Sequence, residues 1–256
     1  MKRGLAVLIL VSLLVLAFGC MSTKPPTKES VAKAIEDVDR YEFQGELRDS
    51  GSKMINNFTS YIRGGFYYSR EEAYWEIEIH EEKAVRYINE TILGDLLYYS
   101  YILKAGGRIV EDSQVTETLQ EYFDSIKDNT NITSPEDLKW KILKGSDPMK
   151  NPLYFIKELL ENSNITKIEK TNKGHLIEFT FKIQKRYSNF GNVLYITNKG
   201  NGKMLIKNNL PIEAEISAMR IAQTNENHST IRKYDLRISF FYEYKRPEWV
   251  RRVTEK

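Results

Sequence analysis

Residues 73–80 read Ala-Tyr-Trp-Glu-Ile-Glu-Ile-His. Ala73, Trp75, Ile77 and Ile79 alternate with Tyr74, Glu76, Glu78 and His80. Side chains of an extended strand point to opposite faces in turn, so this phase sets one apolar row on a core and one polar row in water. That pattern belongs to an antiparallel sheet with one wet face, because parallel strands are covered on both sides and lose the alternation.

The same period continues on both sides. Upstream, Tyr41, Phe43 and Leu47 alternate with Glu42, Gln44 and Glu46, and Phe58, Ser60 and Ile62 alternate with Thr59, Tyr61 and Arg63. Turns are expected at Asp49-Ser50-Gly51, Gly64-Gly65 and Gly106-Gly107, with further strands near 84–89 and 97–103. Downstream, Ile177, Phe179, Phe181 and Ile183 form one row, and Met204 and Ile206 start a strand after an expected turn from Asn198 to Gly202. Ile212, Ala214, Ile216 and Ala218 form another row. Tyr234, Leu236, Ile238, Phe240, Tyr242 and Tyr244 are expected on one face of a long final strand.

Elsewhere the period changes to 3.6. Val31, Ala34, Ile35 and Val38 make one stripe behind Thr27, a helix N-cap. Val115, Leu119, Tyr122, Phe123 and Ile126 make a second. Pro135 after Ser134 and Pro152 after Asn151 open two more helices, the last with Leu153, Phe155, Ile156, Leu159 and Leu160 on a broad apolar face. The fold class is therefore α+β, with helices covering an antiparallel sheet.

The N-terminus carries an address. Lys2 and Arg3 precede an uncharged run from Leu5 to Phe18, then Gly19 and Cys20. A positive start, a short apolar core and a small residue before the cut make an export signal over 1–19. The run is short for a spanning helix, which needs roughly 20 residues; an uncleaved anchor helix is the alternative. Cys20 is the only cysteine, so no internal disulfide can form. Leu16-Ala17-Phe18-Gly19-Cys20 resembles a prokaryotic lipoprotein signal, with Ala17 where that family usually carries leucine. The resemblance implies that Cys20 is lipidated with acyl chains of the palmitate type and becomes the mature N-terminus. Two chains hold a protein on a membrane stably, where one does so marginally. The expected location is extracytoplasmic, on the outer face of the cell membrane, with residues 20–28 as tether and 29–256 as a single domain.

Composition narrows the partners. The chain has 38 basic and 35 acidic residues, and Lys2 and Arg3 leave with the signal. The near-neutral remainder gives no reason to invoke nucleic acid or a polybasic membrane patch. His80, His175 and His228 have no second ligand at metal-binding spacing, so neither a metal nor a cofactor is expected. Gly200-Asn201-Gly202-Lys203 lacks the spacer and the hydroxyl of a phosphate loop and reads as a hairpin turn. Carboxylates sit mostly at the polar phase of strands, without a catalytic pair. The expectation is a binding protein, not an enzyme; a deep polar cleft at His80 or His175 would reverse it. Asn57, Asn89, Asn131, Asn164 and Asn227 head Asn-x-Ser/Thr sequons, acceptors where a host glycosylates outside the cell.

The order helix, strand meander, helices, strand meander is similar to the LolA/LppX-type lipoprotein family. The stretches that carry this are Ala34 to Leu47, Asn151-Pro152-Leu153 through Leu160, Gly174 to Phe181, and Gly202 to Ile216. The resemblance implies a strongly curved antiparallel half-barrel whose helices cover a concave apolar face, and the binding or carriage of a lipid or lipidated molecule there. The side chains expected to face that cavity are Phe43, Leu47, Phe58, Ile62, Trp75, Ile77, Phe179, Phe181, Ile216 and Phe240. It implies no catalytic residue. The competing reading is a surface interaction or sensory module with a filled core, working through Tyr61, Tyr67 and Tyr74 on the outer face.

Overall fold

A computed structural model describes residues 24–50, 57–189, 192–224 and 229–254. The signal segment, Cys20, the tether up to residue 23, Gly51, Asn227 and His228 lie outside the described residues. In chain order the elements are α1 (Lys28–Glu36), β1 (Arg40–Ser50), β2 (Phe58–Tyr67), β3 (Glu72–His80), β4 (Ala84–Leu93), β5 (Leu96–Ala105) and β6 (Arg108–Thr118). Then come α2 (Leu119–Ile126), α3 (Pro135–Lys144), α4 (Pro152–Glu161), β7 (Ser163–Thr171), β8 (Gly174–Asn189), β9 (Asn192–Lys207), β10 (Leu210–Thr224), β11 (Ser229–Phe241) and α5 (Glu248–Thr254). No described helix is long and apolar enough to cross a membrane.

The strands form one antiparallel sheet of eleven, in the order β6-β5-β4-β3-β2-β1-β11-β10-β9-β8-β7. The sheet is open, with β6 and β7 as its edges. Two meanders meet where β1 pairs with β11, Phe43 opposite Phe240 and Leu47 opposite Leu236. The chain leaves the sheet at one edge and re-enters at the other, so α2, α3 and α4 have to travel across a face. Their caps are local: the Thr118 and Glu121 side chains exchange bonds with each other's backbone, Ser134 accepts from Asp137 N, and Asn151 accepts from Tyr154 N. Thr27 and Ser30 form the same reciprocal cap on α1. Each satisfies helix N–H groups that would otherwise be orphaned.

Register turns the strand alternation into rows. One runs Ile177–Met204–Ala214–Ile238–Gly45–Ile62–Ile77–Ile88–Tyr101 across β8 to β5. Its neighbour contains Phe179, Gly202, Ile216, Leu236, Leu47, Ser60, Ile79, Arg86 and Leu103. Val31 and Ile35 of α1 and Leu153, Ile156, Leu159 and Leu160 of α4 are fully buried in the core that these rows build. Burying each such side chain contributes about 1.5–3 kcal/mol.

Several sequence expectations give way here, each for a reason outside the local pattern. Gly64 and Gly65 lie inside β2, not in a turn. The Phe43 ring crosses over Gly64, where an added Cβ would stand 2.6 Å from Phe43 Cζ, and Tyr74 and Tyr244 close over Gly65. Asn198 to Gly202 is likewise interior strand of β9, with the Phe179 ring over Gly202; no hairpin or phosphate loop forms there. The β9–β10 turn is at Asn208 and Asn209, both at positive φ, as a tight hairpin requires. Val115 belongs to β6, and the helix begins four residues later at Leu119, behind the Thr118 cap. Ile212 is the bulge between Pro211 and Glu213. β11 ends at Phe241, and Tyr244 crosses to the opposite face, where it meets Tyr67 and Tyr74.

Candidate ligand-binding site

The structure brings the ten expected cavity-facing side chains onto one face. Phe43, Leu47, Ile62, Trp75, Ile77, Phe179, Phe181, Ile216 and Phe240 are 1–5% exposed, and Phe58 packs against them partly buried. They are core. Tyr41 stacks on Phe66 at 5.0 Å and donates its hydroxyl to Asn151 Oδ1 at 2.7 Å, while Trp75 Nε1 donates to the Lys150 carbonyl. Those bonds tie the start of α4 to the sheet and satisfy polar groups that would be costly to bury alone.

The cover is uneven. α1 and α4 pack on each other and against β7, β8 and β10. Toward β6 the same apolar face emerges. Along the row through Phe43 and Gly64, Trp75 is 2% exposed, Glu90 is half-buried, Tyr99 is 37% exposed and Val115 is 46% exposed. Ile79, Ile88, Tyr101 and Leu103 in adjacent rows are half-buried, with Tyr122, Phe123 and Ile126 of α2 partly buried against the same core. Glu90 is held by Lys150 at 2.6 Å on one side of Ile88, and Arg86 by Glu81 at 2.9 Å on the other. The result is an apolar slope flanked by two ion pairs. Burial pushes the Tyr99 phenol up, with the Glu90 carboxylate adding to the effect.

Ile88, Tyr99, Tyr101 and Leu103 were not among the expected site residues. Leu96 to Ala105 reads apolar in both phases, because its other face is covered too: Tyr98 lies 6.2 Å from the Trp249 ring. A phase cannot be read from a strand that carries apolar side chains on both faces.

The opposite face carries a concavity of about 670 Å³, walled by Gln44, Tyr61, Arg63, Glu76, Tyr87 and Arg237 among others. Its size is that of small-molecule sites, but its wall is charged and open. Of the outer-face tyrosines, Tyr61 is half-exposed and Tyr67 partly buried, while Tyr74 is fully buried beneath the C-terminal segment and unavailable to a partner. That segment is clamped: Arg246 grips Glu72 with bonds of 2.6 and 2.7 Å, and Trp249 Nε1 donates to Glu76 at 2.7 Å. His80 pairs with Glu78 at 2.7 Å, and His175 borders a second concavity of about 470 Å³ beside Pro25 and Thr27. Among the described residues no group of three metal-ligating side chains converges. Asn57, Asn131 and Asn164 are exposed, and Asn89 is half-buried in the wall of the larger concavity.

No protein-family model and no curated protein matches this sequence. Solved structures similar to it are distant. A DUF1329 family protein from Desulfovibrio piger ATCC 29098 is 7% identical over 88% of this chain and 96% of that one, with a TM-score of 0.27. A beta-barrel-like protein of the domain of unknown function DUF1849 from Brucella abortus is 5% identical over 80% of this chain and 98% of its own, with a TM-score of 0.23.

Proposed function

We propose that this protein is an exported lipoprotein, anchored through Cys20, that binds or carries a lipid or lipidated molecule outside the membrane. Under this reading the sheet is the curved half-barrel of the LolA/LppX-type proteins it resembles in sequence, and the helices close over its concave side. The observation that carries the reading is the exposure gradient from Trp75 to Tyr99 and Val115. A core face that runs out from under its helices leaves apolar surface that an acyl or isoprenoid chain would cover. A tether at Cys20 keeps that surface beside the bilayer. The reading assigns no reaction to the chain.

Native mass spectrometry of the gently extracted protein tests it. Lipid is expected to co-purify, and to be lost from Ile88→Asp and Tyr101→Asp, whose side chains are half-buried on the slope. A lipid-free wild type, or lipid retained equally in both variants, would refute the reading. Cys20→Ser is expected to move the protein to the soluble fraction; unchanged membrane retention would indicate an uncleaved N-terminal helix.

A second reading has its own observation. Nine of the ten expected cavity residues are packed at 1–5% exposure, and the charged concavity with Tyr61 lies on the other face. Both favour an interaction module with a filled core. Recovery of a stable protein partner that Tyr61→Ala abolishes, with no lipid present, would select it.

A further inference from the structure

Two of the described hairpin turns carry lysine and no acid. Lys170-Thr171-Asn172-Lys173 leads β7 into β8, and Lys207-Asn208-Asn209 leads β9 into β10. The β2–β3, β3–β4 and β4–β5 turns instead hold Glu71, Glu81 with Glu82, and Asp95. Register brings the two lysine turns to one end of the sheet, with Lys170 opposite His175 and His175 opposite Ile206. Between them lies the concavity of about 470 Å³, whose wall includes Lys24, Lys170, His175, Lys207, Asn208 and Asn209. Among the described residues no carboxylate belongs to that wall. The nearest acids in sequence are engaged: Glu169 pairs with Lys167 at 2.7 Å. The Glu29 carboxyl is held below its ordinary value, first by backbone N–H at the start of α1 and then by Thr27. Lys24, Lys170 and Lys207 have no ion-pair partner among the described residues.

The N-terminal segment joins the domain at this same point. Pro26 is buried, Lys28 Nζ donates to the Ser163 carbonyl at 2.9 Å, and Ser30 Oγ donates to Asn209 Oδ1 at 3.4 Å. These contacts fix Lys24 in the wall of the concavity, and Cys20 stands four residues before it. Four residues reach at most about 14 Å even when fully extended. A membrane that holds Cys20, or the apolar run ahead of it, therefore keeps this corner close by. That reach is comparable to the Debye length of about 10 Å in 0.1 M salt, so charge on the corner is felt at the bilayer surface. The near-neutral composition conceals the corner because it averages these lysines with acids placed elsewhere.

We infer that this lysine corner docks on the anionic surface of the membrane that holds the chain, with the concavity seating the phosphate of one lipid head group. The inference rests on the N-terminal membrane attachment of the proposed function. To that attachment it adds an orientation: the Lys170 and Lys207 turns face the head groups. A lysine beside an anionic bilayer is worth roughly fivefold in binding, so three give on the order of a hundredfold. The amides of Asn208 and Asn209 place neutral donors next to the lysines. Docking of this kind needs no apolar insertion, since the concavity is ringed by polar side chains.

Vesicle sedimentation tests this with the mature chain, begun at residue 20 with Cys20→Ser and so without acyl chains or the apolar run. One set of vesicles is phosphatidylcholine alone, and the other contains one-third phosphatidylglycerol. Binding to the anionic vesicles is expected to be at least about tenfold tighter in about 0.1 M salt, and to weaken as salt rises. Lys170→Gln and Lys207→Gln should each lower it several-fold. Lys83→Gln, which removes the same charge from the exposed β3–β4 turn, should leave it unchanged. Equal binding to both kinds of vesicle, or an equal loss in Lys83→Gln, would overturn the inference. Release from the vesicles by millimolar inorganic phosphate at constant ionic strength would overturn it in favour of a free anion. Each of these outcomes leaves the lipid-chain reading of the apolar slope standing. Retention of full-length Cys20→Ser in the cell's membrane fraction would instead remove the acyl anchor and leave the docking corner in place.

Discussion

Arg246→Ala should destabilise the protein by about 3 kcal/mol at neutral pH, at the lower end of the roughly 3–5 kcal/mol for breaking a buried ion pair from one side. Glu72 is 1% exposed, and both its oxygens are taken by the guanidinium at 2.6 and 2.7 Å, with the Tyr244 hydroxyl donating as well. Arg246 itself is 28% exposed, so water softens its own loss but cannot reach the carboxylate left behind. Burial pushes the Glu72 carboxyl up, yet the Arg246 fork and the Tyr244 hydroxyl outweigh burial and hold it below the ordinary value. A folded pKa below the unfolded one gives stability that is present above about pH 4.3, the unfolded value, and is lost as pH falls through the lowered folded value. In Arg246→Ala the carboxyl is buried without its fork and its pKa rises, so the variant is worst near pH 7. The gap between variant and wild type should therefore narrow on acidification. Urea unfolding at pH 7, 5.5 and 4 measures it. A gap below about 1 kcal/mol that does not change with pH would show an ordinary screened surface pair, and the argument for a clamped C-terminal segment would fail.

Gly202→Val should cost roughly 1–3 kcal/mol by overpacking, because its Cβ would stand 2.9 Å from Phe179 Cε1. Gly64→Val should behave alike under the Phe43 ring, and unchanged melting temperatures would mean that the rings do not lie over those glycines. Asn151→Ala removes the cap of α4, the acceptor for Tyr41 and the donor to the Leu143 carbonyl at 2.6 Å, for about 3 kcal/mol in thermal unfolding. Asn151→Asp keeps the cap and the acceptor and should recover about half of that; equal losses in both would place the whole effect on the Leu143 bond.

How much was legible follows from what each residue's environment depends on. Ala73 to His80 could be read because one face of β3 is core and most of the other is wet along its length. Leu96 to Ala105 could not, because Trp249, far away in sequence, covers the second face. β6 and β7 carry almost no alternation: as edge strands they are exposed along most of their length and dressed with charge, as at Glu111, Asp112, Lys167 and Lys170. Charge on an edge opposes pairing with another sheet and so hides the strand from a hydrophobicity pattern. Gly64, Gly65 and Gly202 read as turns because a glycine's local signal is the same whether the chain bends or an aromatic ring crosses it from the next strand. The set of inward-facing residues was legible; whether they line a space or fill it was not, since that depends on how far the helices reach.

That reach is set by geometry. Ten strand spacings make a flat sheet about 48 Å wide, and strands of about ten residues make it about 33 Å deep. α2, α3 and α4 hold 8, 10 and 10 residues. End to end they give about 42 Å of helix roughly 10 Å across, enough to bridge the sheet once but not to roof it. Only beside β7 to β10 does α1 lie next to α4 and double the cover. Toward β6 a single helical layer faces rows about three times as deep as itself, and Ile79, Ile88, Tyr101 and Leu103 are only half-buried there. Their exposure is thus a consequence of topology, and filling it by larger helix side chains would not work at that span. A fold meant only to be solid would place polar residues at those positions, as the outer face of β3 does with Glu76 and Glu78. Under the proposed reading, the chain of a bound lipid supplies the apolar surface that covers them.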